Sequence, residues 1–175
     1  AKGESEINNI AIEPEVIDLI KCLKSMGSEI EFISNRKILI QGKDNLKGTE
    51  HKVIPDRIEV GTYMIAGALI GKNLNIQNID QDHIQNILRV FQELGIEFKL
   101  DKNSISLSKS NIEVGTNLQT EEYPGFPTDL QAQMMVLLSR SKKQSSIIEN
   151  IFENPYMHVP ELNRMGAQIS IEGNR

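Results

Sequence analysis

The sequence predicts a mixed α/β fold in which one supersecondary unit is used repeatedly. Three observations carry this reading. Asn9, Asn78 and Asn150 recur at intervals of 69 and 72 residues, each flanked by isoleucines at Ile7 and Ile10, Ile76 and Ile79, Ile148 and Ile151. Each Ile-x-Asn-Ile stretch leads into residues of helical period that end at a glycine, Gly27, Gly95 or Gly166. A β-type stretch then follows. Recurrence on this scale marks a module used more than once.

The elements follow in chain order. Pro14 suits the first turn of a helix, where its missing N–H costs nothing. Val16, Leu19, Ile20, Leu23 and Met26 then fall on one helical face, and Gly27 stands where a left-handed C-terminal cap is wanted. Glu29–Ile33 and Lys37–Gln41 read as a hairpin around Ser34-Asn35. In the second module Ile84, Ile87, Leu88, Phe91 and Leu94 form the helical stripe and Gly95 the stop. Ile96–Leu100 and Ser104–Ser108 form its hairpin around Asp101-Lys102-Asn103. The third helix, ending at Met165-Gly166, is shorter and carries Pro155 and Pro160; a strand is expected near Ile169.

Further helices link the modules. One begins at Asp56 and runs to Leu69; the other begins near Thr128-Asp129 and runs to Leu138. Asp56 and Asp129 are 73 positions apart and hold the same place in the repeat. Asp56 with Glu59, and Thr128 with Gln131, have the spacing of capping boxes. Both helices are apolar nearly all round, which places them inside a module, and Gly61 and Gly67 allow close approach. Gly42, Asn45, Gly48 and Pro55 punctuate a boundary between residues 1–52 and 53–175. Ala1-Lys2-Gly3 resembles the tail of a linking helix, and Glu172-Gly173-Asn174 a hairpin turn without its second strand. The chain is therefore expected to be a piece of a longer protein.

Composition narrows the function. Hydrophobic residues make up 39% and charged residues 25%, ordinary for a globular protein. The net charge of -5 argues against nucleic acid, which wants a basic face; Lys142-Lys143 is a short basic pair of the kind found on solvated surfaces. No apolar run reaches the ~18 residues of a membrane span. The single cysteine, Cys22, permits no internal disulfide and fits a reducing cytoplasm. It lies mid-helix, between Ile20 and Leu23, as a small packing residue.

Three long motifs stand in order: Ile54-Pro-Asp-Arg-Ile-Glu-Val-Gly-Thr62, Phe126-Pro-Thr-Asp-Leu-Gln-Ala-Gln133 and Phe152-Glu-Asn-Pro-Tyr-Met-His-Val-Pro-Glu-Leu162. They resemble the signatures of the enolpyruvyl transferases that act on UDP-N-acetylglucosamine, and the similarity extends over nearly the whole chain. The resemblance implies two lobes of repeated βαβαββ units in an inside-out α/β barrel, here cut at both ends. On this mapping residues 1–52 are the last repeat of the N-terminal lobe, and residues 53–175 the first part of the C-terminal lobe. The implied reaction transfers the enolpyruvyl group of phosphoenolpyruvate to the sugar 3-hydroxyl and releases phosphate, without metal or organic cofactor. The implied partners are the two substrates and the remaining parts of both lobes. Helix N-termini, with their free N–H groups, explain how an acidic protein could hold such polyanions.

The resemblance also assigns residues. Asp129 matches the aspartate that contacts the sugar hydroxyl and takes its proton; the plain alternative is a helix cap. Ile151 matches a backbone contact to the sugar nucleotide, against an apolar strand end. Phe152 is a ligand wall or a packing residue. Asp56 and Arg57 stand near the lobe junction, as a cap and an ion-pair residue or as binding residues. Two departures stand out: Pro155 replaces the family's usual arginine, and Tyr123 a common histidine. His158 is given no catalytic role. The family's reactive cysteine and its main anion-binding residues fall outside this segment. Two other classes are weaker: a non-catalytic binding or assembly module, and a relative of RNA 3′-terminal phosphate cyclase, whose basic surface is missing here.

Overall fold

The computed structural model describes residues 2–152 and 156–174. The chain divides into two compact units, Ala1–Ile54 and Pro55–Arg175.

The first unit contains β1 (Glu4–Asn8), α1 (Pro14–Ser25), β2 (Glu29–Ser34) and β3 (Lys37–Gln41). The strands form an antiparallel sheet of order β1-β3-β2, so the last strand lies in the middle. Pro14 is the first helical residue, as its fixed φ favours. Gly27 adopts φ +96°, and Ser28 N–H closes on Leu23 O at 3.0 Å, ending the helix. Ile20, Ile30 and Ile38 form the core, with Val16 and Leu23 packed at its edge. The expected stripe is narrower than its sequence: Leu19 is 57% exposed. The buried face centres on Ile20, and the next residue along a helix lies about 100° round. Beside that face Asp18 is buried, with His51 Nε2 3.0 Å from its carboxylate. The His51 ring holds the Asp18 carboxyl below its ordinary range, against the opposing effect of burial.

The second unit opens with α2 (Arg57–Ile70) and β4 (Leu74–Gln77). A 3-10 turn, Gln81–Ile84, feeds α3 (Gln85–Glu93), which is followed by β5 (Phe98–Asp101) and β6 (Ser104–Leu107). Their sheet has the order β4-β6-β5, repeating that of the first unit. Next come β7 (Asn117–Gln119), a 3-10 turn (Thr128–Leu130), α4 (Gln131–Leu138), β8 (Ser146–Ile148) and α5 (Val159–Arg164). β7 and β8 are parallel neighbours, connected through α4.

The predicted stripe of the second module is realised in full. Ile84, Ile87, Leu88, Phe91 and Leu94 are all buried. The two linking helices lie inside, where Met64, Ala68, Leu130, Met134 and Leu137 share one core. Gln133 Nε2 donates to Thr62 Oγ1 at 3.1 Å, tying α4 to α2. Asn9 and Asn78 take left-handed conformations, at φ 55° and 58°, just beyond β1 and β4. Asparagine adopts this region more readily than most residues, which accounts for the residue type in these two modules; Asn150 is not left-handed and bonds to Thr120 instead. Gly95 and Gly166 are left-handed as expected.

Two expectations are corrected. The strand predicted from Ile96 begins at Phe98, because Ile96 N–H bonds to Phe91 O and is spent on ending the helix. No strand pairing forms around Ile169. A cleft of about 730 Å³ lies between β8 and residues 166–172, bordered by Met135, Ser146, Tyr156 and Ile169. Ile169 N–H donates to Asn163 Oδ1 at 3.0 Å and Ile169 O accepts from Asn163 Nδ2 at 2.9 Å, so α5 takes the backbone groups a ladder would use. The cleft is lined by none of the residues assigned from the motifs.

Candidate functional site

The candidate site is built where β7 and β8 end. Because the strands are parallel, both chains leave the sheet at the same edge. Thr120 follows β7, and Glu149 to Phe152 follow β8. Thr120 N–H continues the pairing to Ile148 O at 2.9 Å. Asn150 returns two bonds, its N–H to Thr120 Oγ1 at 3.0 Å and its Nδ2 to Thr120 O at 3.2 Å.

Glu149 organises the edge. Its side chain turns inward and is only 2% exposed. Oε1 accepts from Thr120 Oγ1 at 2.6 Å, Ile151 N at 2.8 Å and Phe152 N at 3.3 Å. Oε2 accepts from Thr128 Oγ1 at 3.0 Å. Four donors surround one carboxylate, which in its ionised form accepts only. Ile151 and Phe152 are left 43% and 62% exposed by this turn.

Asp129 lies in the first turn of the 3-10 helix, next to Thr128, and is exposed. The capping box expected at Thr128 and Gln131 does not form. The cap position of the 3-10 turn is Pro127, that of α4 is Leu130, and neither has a side-chain cap bond. The Thr128 hydroxyl is drawn to Glu149 instead, since a buried carboxylate is the stronger acceptor. Asp129 therefore is not held as a cap.

At α2 the cap does form: the Asp56 carboxylate accepts from Ile58 N at 2.8 Å and Glu59 N at 3.1 Å. Arg57 is buried, at 7% exposure, with its guanidinium 5.5 Å from the centre of the Tyr123 ring. Its setting is thus buried rather than on the surface, with the cation over an aromatic face. Tyr123, the departure from the usual histidine, is the residue that receives it. Gly125 O in the same loop accepts from Asn86 Nδ2 at 2.6 Å, anchoring the loop to α3.

Among the predicted residues, Asp129, Ile151 and Phe152 are linked through Thr128 and Glu149. Asp56 and Arg57 join them less directly, through α2, which packs against the 3-10 turn that carries Asp129. Pro155 lies outside the described residues. His158 is half-buried, and burial lowers its ring pKa, favouring the neutral form. Glu149, Thr120 and Thr128 were not legible as site-forming residues. The available signal was alternation after β8: Ile147 points inward, so Glu149, two residues on, points inward too.

The sequence profile of the EPSP synthase (3-phosphoshikimate 1-carboxyvinyltransferase) family matches residues 1–175. The chain belongs to this family. Curated relatives of the family are similar over its whole length. A UDP-N-acetylglucosamine 1-carboxyvinyltransferase of Pelagibacter ubique is 50% identical over 175 residues, 100% of this chain and 42% of the relative. Proteins of the same name are 46% identical in Granulibacter bethesdensis, over 99% of this chain and 41% of the relative, and 47% in Koribacter versatilis, over 100% and 40%. The chain thus spans about two fifths of the length of the curated relatives it matches. The crystal structure of the enolpyruvyl transferase NikO from Streptomyces tendae superposes with a TM-score of 0.90 at 21% identity, covering 99% of this chain and 42% of NikO. The fold is therefore that of the enolpyruvyl transferases. Among the described residues, no helix is long and apolar enough to cross a membrane.

Proposed function

We propose that this chain is a segment of a cytoplasmic enzyme of peptidoglycan synthesis. The full-length protein transfers the enolpyruvyl group of phosphoenolpyruvate to the 3-hydroxyl of UDP-N-acetylglucosamine. Residues 1–52 close its N-terminal lobe, and residues 53–175 open its C-terminal lobe. The observation that carries the reading is the 50% identity, over every residue of the chain, to a relative named for this reaction. The open Asp129 carboxylate beside a preformed binding edge supports it.

In the reaction a C–O bond forms between the sugar 3-oxygen and the enolpyruvyl carbon. The C–O bond to phosphate breaks, and phosphate leaves. Asp129 aligns the hydroxyl and accepts its proton. The Ile151 backbone contacts the sugar nucleotide, and Phe152 forms a wall of its pocket. Asp56 fixes the start of α2, and Arg57 adds positive charge near anionic substrate while holding the 121–126 loop through Tyr123.

The test is phosphate release. The full-length protein should release phosphate only when both substrates are present. This chain alone should match a blank, because catalysis by orientation fails when a substrate is unanchored. Release by the full-length protein with shikimate 3-phosphate, but not with the sugar nucleotide, would overturn the reading.

A further inference from the structure

Resting on the proposed transferase reading, we infer that Glu149 is a positioning residue that locks the Thr128-Asp129 turn and the Ile151-Phe152 strand end into one rigid element. The four donors on its carboxylate come from three separate places in the chain: Thr120 after β7, Thr128 before α4, and the backbone after β8. One buried anion thus spans both sides of the site. A carboxylate this deep is costly unless its hydrogen bonds are complete. Here three bonds of 3.0 Å or less and one of 3.3 Å meet that need.

The other modules show that the fold does not require the device. Asn8 and Gln77 occupy the same place, one residue before the recurring asparagine, at the ends of β1 and β4. Both are exposed. Two modules build this strand end without an inward carboxylate. The third, which carries Asp129, Ile151 and Phe152, builds it with one. Stability of the module alone therefore does not explain Glu149, whereas alignment of the residues on either side does.

The experiment uses the full-length protein, with the wild type as reference. Glu149→Ala should lower kcat by about 100-fold, the scale of a ~1 Å misplacement, and raise KM for UDP-N-acetylglucosamine. Glu149→Gln should recover much of the loss. Its amide oxygen can serve the three donors at the Oε1 position, and its NH2 can donate to the Thr128 hydroxyl. Thr128→Val removes one bond to the carboxylate and should cost about tenfold in kcat, with a fall in Tm smaller than that of Glu149→Ala, because one oxygen of a buried carboxylate loses its donor. That milder variant decides the matter if Glu149→Ala fails to fold. Amide exchange at Ile151 and Phe152 provides a readout independent of turnover: protection should fall in Glu149→Ala and persist in Glu149→Gln. Normal kcat and sugar-nucleotide KM in both Glu149→Ala and Thr128→Val, with an active wild type, would overturn the inference. If the wild type itself does not turn over, the transferase reading fails instead. Glu149 is then judged by exchange, where undiminished protection in Glu149→Ala overturns it.

Discussion

Asp129→Asn in the full-length protein is expected to lower kcat by roughly 10²–10⁴-fold, the usual contribution of a positioned proton acceptor, without shifting the melt. Asparagine keeps the shape and can still hydrogen-bond to a hydroxyl, but it cannot take the proton. The side chain is exposed, and neither the 3-10 turn nor α4 has a side-chain cap bond, so folding has little to lose. The sugar-nucleotide KM should change only modestly, since alignment survives and proton acceptance does not. Steady-state kinetics with a thermal melt separates the roles. Near-normal kcat would make Asp129 a spectator; a collapsed melt would make it structural.

Gly61→Val is expected to destabilise the second unit by about 3 kcal/mol, the upper end of the usual cost of overpacking. A Cβ at Gly61 would run into Leu130 Cδ1 and lie 2.7 Å from Ile87 Cδ1. Both side chains are almost fully buried, so neither has free space to move into. Gly61→Ala should cost less, because alanine regains ~1 kcal/mol of helix preference over glycine. For a chain of this size, 3 kcal/mol corresponds to a fall in Tm of roughly 6–12 °C. Leu130 ends the 3-10 turn that carries Asp129, so in the full-length protein the same variant should lose kcat as well. An unchanged Tm would show that the helices can separate without cost.

The regular elements were legible because local chemistry and burial agree. Pro14 starts its helix, the glycines after the helical stripes turn left-handed, and the stripe from Ile84 to Leu94 is buried where its period places it. Legibility failed where partners are distant in sequence. Thr128 has the spacing of a cap, but Glu149, 21 residues away, captures its hydroxyl. Leu19 fits the helical period, yet the side facing the sheet is narrower than the apolar arc. Arg57 gave no hint of its seat over Tyr123, 66 residues away in sequence. Of the site, the motifs pointed to the residues proposed to face ligand. The buried carboxylate behind them is a tertiary feature, since an isolated Glu after a strand more often points to water.

A crystal structure of the full-length protein with UDP-N-acetylglucosamine bound tests the account most directly. It should place an Asp129 carboxylate oxygen about 2.6–3.2 Å from the sugar 3-hydroxyl, within hydrogen-bond reach, with the Ile151 backbone against the sugar nucleotide and Glu149 still holding both segments. A sugar nucleotide bound elsewhere, with Asp129 facing solvent, would contradict it.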